Sequence, residues 1–416
     1  AWNAAERRDS SGALSILAAV PRSSAFAPFV DEQAALILLK LRKTAEAEPY
    51  AARATADVGP REYRLRLTLA AGFAAAGDRQ RALSIIEGIS GDKAAIVKAI
   101  DEGKLKSLVI DSSAEAFADQ LLALAMEMWR SPGSRGAPVG VAQIARFAAP
   151  ANSSVAVLLG NFLAHQERID ESLQVLRSVG TNDPLKPEAL DGEVTVLLDI
   201  DRLDEAETLA RAAASRPDAN GEDFARLGDV LVKIERYDEA AEAYARAARQ
   251  LSGLDNARTW PLLLLQANAL ESAGRWPEAQ AVLGSAIGIA PAEPLVLNFL
   301  GYAKLEHGGD LDAAEALIRK ASELAPEDAS ITDSLGWALF KRGRFDEAIE
   351  VLQKAAMNDP TQAEIQEHLG DALYAAGRRF EARFAWQAAL ATAEDEDAAR
   401  IRTKIETGVG QPTAAR

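Results

Sequence analysis

The chain has 416 residues, 48% of them hydrophobic and 26% charged, and a formal net charge of −16. That acidic balance excludes non-specific binding to nucleic acid or to an anionic membrane surface, both of which need basic patches. Cysteine is absent, which excludes a disulfide frame, a thiolate metal site and a cysteine nucleophile.

Apolar residues recur at spacings of three and four from the start, the period of helices buried on one face. Residues 1–28 fit only the later part of a helical hairpin: Ala13 and Leu17 lie in a second helix, and Pro28 closes the unit. The first helix is cut short, so the terminus is expected to expose an apolar face, with self-association through it as one outcome. Ala35, Leu38, Ala47, Ala51 and Ala54 mark the next hairpin, stopped at Gly59-Pro60. Ala70, Phe73, Ala82, Ile86 and Ile89 mark another, turning at Gly77-Asp78. Residues 91–150 break the rhythm. A short helix at Ala94–Ile100, a longer one at Ala114–Trp129, the loop SPGSRGAPVG and a helix at Val141–Ala148 read as a divergent hairpin with a long internal loop. A domain boundary is the alternative there.

The rhythm returns at Leu159, Gly160, Leu163, Ser172 and Leu176, then at Val194, Leu197, Ala206 and Ala210, then at Leu227, Gly228, Leu231, Ala240 and Tyr244. LSGLDNARTW lengthens the next link. Ala267, Leu270, Ala279 and Leu283 follow, then Leu300, Gly301, Ala314 and Ile318. The clearest unit is DSLGWALFKRGRFDEAIEVLQKAAMNDP, Asp333 to Pro360. It recurs as Leu369, Gly370, Leu373, Ala382, Trp386 and Ala389, with 34 residues from Gly336 to Gly370. A last helix, Asp397–Ile405, suits a solvating cap, and GQPTAAR reads as a disordered tail. The expected division is 1–90, 91–152, 153–396 and 397–416.

With that period and those residue types, the chain resembles tetratricopeptide repeat (TPR) proteins. The resemblance implies an all-α, right-handed superhelical solenoid of about 10–11 hairpins. The last repeats (LNFLGYAKLEHGGDLDAAEALIRKA, DSLGWALFKRGRFDEAIEVLQKA and EHLGDALYAAGRRFEARFAWQAAL) resemble large bacterial multi-repeat TPR proteins. Several of those are exported, some are outer-membrane lipoproteins, and one such lipoprotein is the adaptor of a periplasmic processing protease. A periplasmic or outer-membrane-anchored location is the expectation from this resemblance, with a cytoplasmic one as the alternative. Ala1 is not an initiator methionine, and an anchor, if there is one, is expected before it.

No catalytic constellation is present. The three histidines, His165, His307 and His368, fall in three different repeats, so no paired-His metal spacing exists, and neither a nucleophile elbow nor a phosphate loop appears. No cofactor is expected. Acidic pairs such as Asp204-Glu205, Asp238-Glu239 and Asp346-Glu347 recur in the first turn of second helices, where carboxylates favour the positive end of the helix dipole.

In TPR arrays the first helices line an inner groove. In that register the candidate partner-binding residues are Asn161, Arg226, Asp229, Asn268, Asn298, Tyr302, Asp333, Trp337, Lys341, His368, Asp371 and Tyr374, with Phe299 more suited to the core. Asparagine amides can bond a peptide backbone and aromatics can take side chains. Lys and Arg of a carboxylate clamp are replaced by Asp333, Glu367 and Asp371, which suits basic or neutral segments. The expected function is a non-enzymatic scaffold or adaptor for a protein or peptide. The alternative is the regulatory or substrate-binding part of a larger enzyme whose catalytic domain lies outside this chain.

Overall fold

The computed structural model describes residues 1–24, 26–56, 59–89, 93–130, 136–217, 219–251 and 256–408. Among them are 24 α-helices and no strand. They fall into two compact units, Ala1–Ala219 and Asn220–Arg416.

The first unit holds the hairpins α1 (Trp2–Glu6) with α2 (Ser10–Ala18), α3 (Val30–Lys40) with α4 (Thr44–Ala54), and α5 (Glu62–Ala75) with α6 (Arg79–Ile86). The single helix α7 (Ala94–Asp101) follows. Then come α8 (Ser113–Trp129) with α9 (Gly136–Ala148), α10 (Ser153–Ala164) with α11 (Ile169–Arg177), and α12 (Lys186–Asp199) with α13 (Leu203–Ala214). The second unit pairs α14 (Gly221–Lys233) with α15 (Tyr237–Leu251), α16 (Asn256–Ser272) with α17 (Trp276–Ile289), and α18 (Pro294–Glu306) with α19 (Leu311–Leu324). It continues with α20 (Ala329–Lys341) and α21 (Phe345–Asn358), then α22 (Ala363–Ala375) and α23 (Arg379–Thr392), and ends on α24 (Asp395–Thr407). Each unit is all-α and built of consecutive helical hairpins, the fold class expected.

What fixes each hairpin is a close approach. A Cβ on Gly336 of α20 would lie 2.5 Å from the Leu352 side chain of α21. The same clash faces Gly160 against Leu176 (2.5 Å), Gly228 against Tyr244 (2.6 Å), Gly301 against Ile318 (2.5 Å) and Gly370 against Trp386 (2.3 Å). Volumes compensate along the chain. Glycine on the first helix faces a large key on the second, whereas Val194 has the small Ala210 at the matching position, both buried. The keys Trp386, Leu352, Ile318 and Leu176 are fully buried.

In every hairpin whose turn lies within the described residues, one turn residue is left-handed. Gly343 takes that place at φ +74°, with Arg344 N–H donating to the Leu339 carbonyl at 3.0 Å and closing α20. Arg42, Glu167, Asp201 and Glu235 hold the same conformation at φ between 56° and 60° without the freedom of glycine. In five hairpins the second helix then starts on an arginine N-cap, whose side chain does not cap. Arg168, Arg275, Arg344 and Arg378 instead pair with the glutamate three residues on, at 2.5–2.6 Å. The recurring acidic residues are therefore held by an arginine as well as by the helix dipole.

Some details differ from the sequence reading. Helix α9 begins at Gly136, so half of the segment expected as a loop is helical, with Pro138 in its first turn and Val139 buried. Residues 131–135 of that loop, 252–255 of the LSGLDNARTW link and the 410–416 tail lie outside the described residues. The rest of the link, from Asn256, is the start of α16. The short first hairpin hides much of its apolar face. Ala4, Ala5 and Ala13 pack with Ile37, Trp2 donates to Gln33 at 2.7 Å, and Glu6 accepts from Ser113 of α8 at 2.5 Å.

Gly370→Ala should destabilise the second unit by about 1–3 kcal/mol, because the new methyl forces Trp386 off its site. Gly284→Ala, in an open stretch of α17 with nothing within 4 Å of the new atom, should instead stabilise it by about 1 kcal/mol. Urea unfolding of the two variants checks the opposite signs.

Candidate functional site

Successive first helices of the second unit touch one another, α18 with α20 and α20 with α22. Their outward faces thus lie side by side. The densest constellation of candidate residues sits there.

Asp333 of α20 is 5% exposed. Its Oδ2 is 2.8 Å from Nδ1 of His368, one repeat on, while its Oδ1 has no hydrogen-bond partner. The Trp337 ring stacks on His368 at 4.1 Å and on Phe340 at 4.8 Å, and its Nε1 donates to Glu306 at 2.9 Å. The Lys341 ammonium lies 5.0 Å from the Trp337 ring centre and 3.3 Å from the same Glu306 carboxylate. Tyr302 is half-buried and its hydroxyl pKa is raised by burial, with Glu364, Glu306 and Asp333 adding to the shift. Asn298 is half-buried with its Oδ1 unpartnered. Burial alone would lower the His368 pKa, but the bond to Asp333 and the nearby Glu364 and Asp371 carboxylates raise it overall. Tyr302, Asp333, Trp337, Lys341 and His368 thus form one cluster, and Asn298 lies one turn before Tyr302 on α18.

The remaining candidates lie elsewhere. Asp371 is buried, accepting from Trp386 Nε1 at 2.9 Å and Lys404 at 2.6 Å. Asp229 accepts from the Tyr244 hydroxyl at 2.6 Å. Both carboxylates sit next to a packing glycine and satisfy the polar tip of an aromatic key, a structural use that the groove register overlooked. Arg226 is buried and paired with Asp223 at 3.1 Å. Tyr374 packs on Trp386 at 5.5 Å and against Gly408 beyond α24. The capping helix therefore covers the last repeat: Arg400 and Lys404 both reach Glu367. Asn268 is exposed on α16, and Phe299 is half-buried rather than core. In the first unit, Asn161 is half-buried, with its Oδ1 close to Gly192.

The groove register did not single out Glu306 and Glu364, because both face the cluster from helix ends. Nor did it single out a buried polar cluster in the first unit. Glu32 of α3 meets Arg61 at 3.1 Å and Arg64 at 3.6 Å, and Arg64 also pairs with Asp119 of α8. Burial, with the nearby Asp119, pushes the Glu32 carboxyl up to about 7 against the pull of Arg64 and Arg61. Glu32 stands three residues before Ala35, as Asp333 stands before Gly336, so the same register would have found it.

Residues 264–329 match the tetratricopeptide repeat model and residues 336–377 the TPR repeat model. These segments are tetratricopeptide repeats. The second runs from the packing glycine of α20 to the turn glycine after α22, so the TPR match contains Trp337, Lys341 and His368. Among solved structures, yeast Tom70 is 14% identical over 98% of this chain and 93% of its own, with a TM-score of 0.52, a likeness of fold. MamA AMB-1 is 24% identical over 42% of this chain and 99% of its own, with a TM-score of 0.33. Cut9 of the APC/C hetero-tetramer Cut9-Hcn1 is 15% identical over 98% and 88%, with a TM-score of 0.46. No curated protein matches the chain.

A histidine whose folded pKa exceeds its unfolded value stabilises the fold fully below that unfolded value. The contribution is lost as pH rises through the folded pKa. Stability of the second unit should therefore fall as pH climbs above about 6.5, and the His368→Asn variant should lack that component. Urea midpoints measured from pH 6 to 9 for both proteins check it.

Proposed function

We propose that this chain is a non-catalytic scaffold that holds an extended segment of a protein partner on the first-helix face of α18, α20 and α22. The TPR fold is generally a non-catalytic protein-interaction scaffold. The observation that carries the reading is the Asp333–His368–Trp337 cluster, whose accessible edge carries the Trp337 ring and the Glu306 and Glu364 carboxylates. A bound segment can reach the half-buried Trp337 ring and the Glu306 and Glu364 carboxylates, which can accept from its backbone N–H groups or side-chain donors. Among the described residues no group of three or more acidic or histidine side chains is placed to hold a metal. No described helix is long and apolar enough to cross a membrane.

For the finer reading, an adaptor in a bacterial cell envelope, the support is the likeness of the last three repeats to exported TPR proteins. One experiment addresses both levels. Tagged protein is incubated with separated envelope and cytosolic extracts, beside an Asn298→Ala/Trp337→Ala variant and a Glu350→Gln variant altered on α21. The expected result is a partner captured from the envelope extract by the wild type and by Glu350→Gln but not by the double variant, with unchanged helicity in all three. Equal capture by the double variant removes the face, and capture from the cytosolic extract alone removes the envelope reading.

For self-association through residues 1–28 the support is one apolar side chain on α2, Ile16, which is 53% exposed. Light scattering over a dilution series should then show a mass that rises with concentration and falls back for Ile16→Glu. A constant monomer mass removes it.

A further inference from the structure

The cluster on α18, α20 and α22 has a chemical bias that the scaffold reading leaves open. Its accessible acceptors are the carboxylates of Glu306 and Glu364, and the Asp333 carboxylate lies buried in the same cluster. The cationic groups facing it are Lys341 and His368. The Glu367 and Asp371 carboxylates of α22 are already compensated by Arg400 and Lys404 of α24. Asp333 is buried, and one oxygen of its carboxylate has no donor, so its charge is only partly compensated. An acidic guest would meet like charge there, and an apolar guest would desolvate the Glu306 and Glu364 carboxylates without pairing them.

The structure also shows what kind of group lodges at this place. Lys341 lays its ammonium over the Trp337 ring and against Glu306. An aromatic face flanked by a carboxylate attracts an ammonium or guanidinium through ring quadrupole and charge together. Lys341 is therefore an internal occupant of a cation seat, held at 5.0 Å from the ring and 3.3 Å from the carboxylate, distances of a loose contact that an incoming cation can replace.

Resting on the scaffold reading of this face, we infer that α18, α20 and α22 select a basic segment. A lysine or arginine side chain of the partner sits between Trp337 and Glu306, in the negative field of Asp333 and Glu364. Lys341 competes for the same seat. The net charge of −16 steers such a segment toward the chain.

Calorimetry with an acetylated, amidated peptide alternating lysine and alanine tests this, beside the same peptide carrying glutamate in place of lysine. Acetylation removes the terminal ammonium, so the side chains are the source of charge. The lysine peptide should bind the wild type, lose roughly tenfold in affinity with Trp337→Ala, and bind several-fold tighter to Lys341→Ala. Glu350→Gln, which removes one carboxylate from α21, should bind like the wild type. Binding of the lysine peptide that is equal in Trp337→Ala and the wild type means general attraction to an acidic surface and overturns the inference. So does weaker binding to Lys341→Ala, or a preference for the glutamate peptide. The loss or retention of the captured partner in the Asn298→Ala/Trp337→Ala variant is read independently, so the face can stand when the basic selectivity falls.

Discussion

The close contact between a small residue on the first helix and a key on the second, a glycine against a large side chain in five of the hairpins, is the constraint on which the rest depends. It brings two backbones to a separation that no Cβ would allow at Gly160, Gly228, Gly301, Gly336 and Gly370. Close approach aligns the two helices, and the turn with its left-handed residue follows from that alignment. A hairpin so fixed presents a constant outline to the next one. A solenoid needs nothing more, since each unit packs only on its neighbours.

The same contact decides what the adjacent position can do. The residue after each packing glycine lies where first helices look outward. When the key is Tyr244 or Trp386, that residue is Asp229 or Asp371, and its carboxylate is spent on the hydroxyl or indole N–H of the key. When the key is Ile318 or Leu352, it has no polar tip to satisfy, and Tyr302 and Trp337 stand there instead. The choice of key inside the hairpin thus decides whether the face outside is structural or open for contact. Most of the candidate site falls in the two consecutive repeats keyed by Ile318 and Leu352, with His368 reaching in from the next.

Most of the fold was legible because its signals are local. Spacings of three and four placed the helices, and the 34-residue period placed the repeats. Ala348, Leu352 and Ala355 are fully buried where the pattern put them. The site was legible only in part. The register named Tyr302, Asp333, Trp337, Lys341 and His368, which do come together, with Asn298 one turn before Tyr302. It also named Asp229, Asp371, Arg226 and Tyr374, whose polar or aromatic groups already have partners, because pairing across helices depends on distances that a register does not contain. Glu306 was passed over for a similar reason: it is drawn in by Trp337 and Lys341 from the following repeat. The start of α9 was misplaced because Gly and Pro in its first turn read as loop residues, although proline is tolerated there.

Helix α24 gives the array more than an end. Lys404 bonds Glu367 and Asp371 together, and Arg400 joins it on Glu367. Burial raises the Asp371 pKa even with Lys404 beside it. Proteolytic loss of residues beyond Ala393 would therefore not be a simple shortening. It would uncover a second acidic step next to the first, two carboxylates stripped of their counterions on the face of α22. The terminal helix thus sets how far along the array the acidic surface extends.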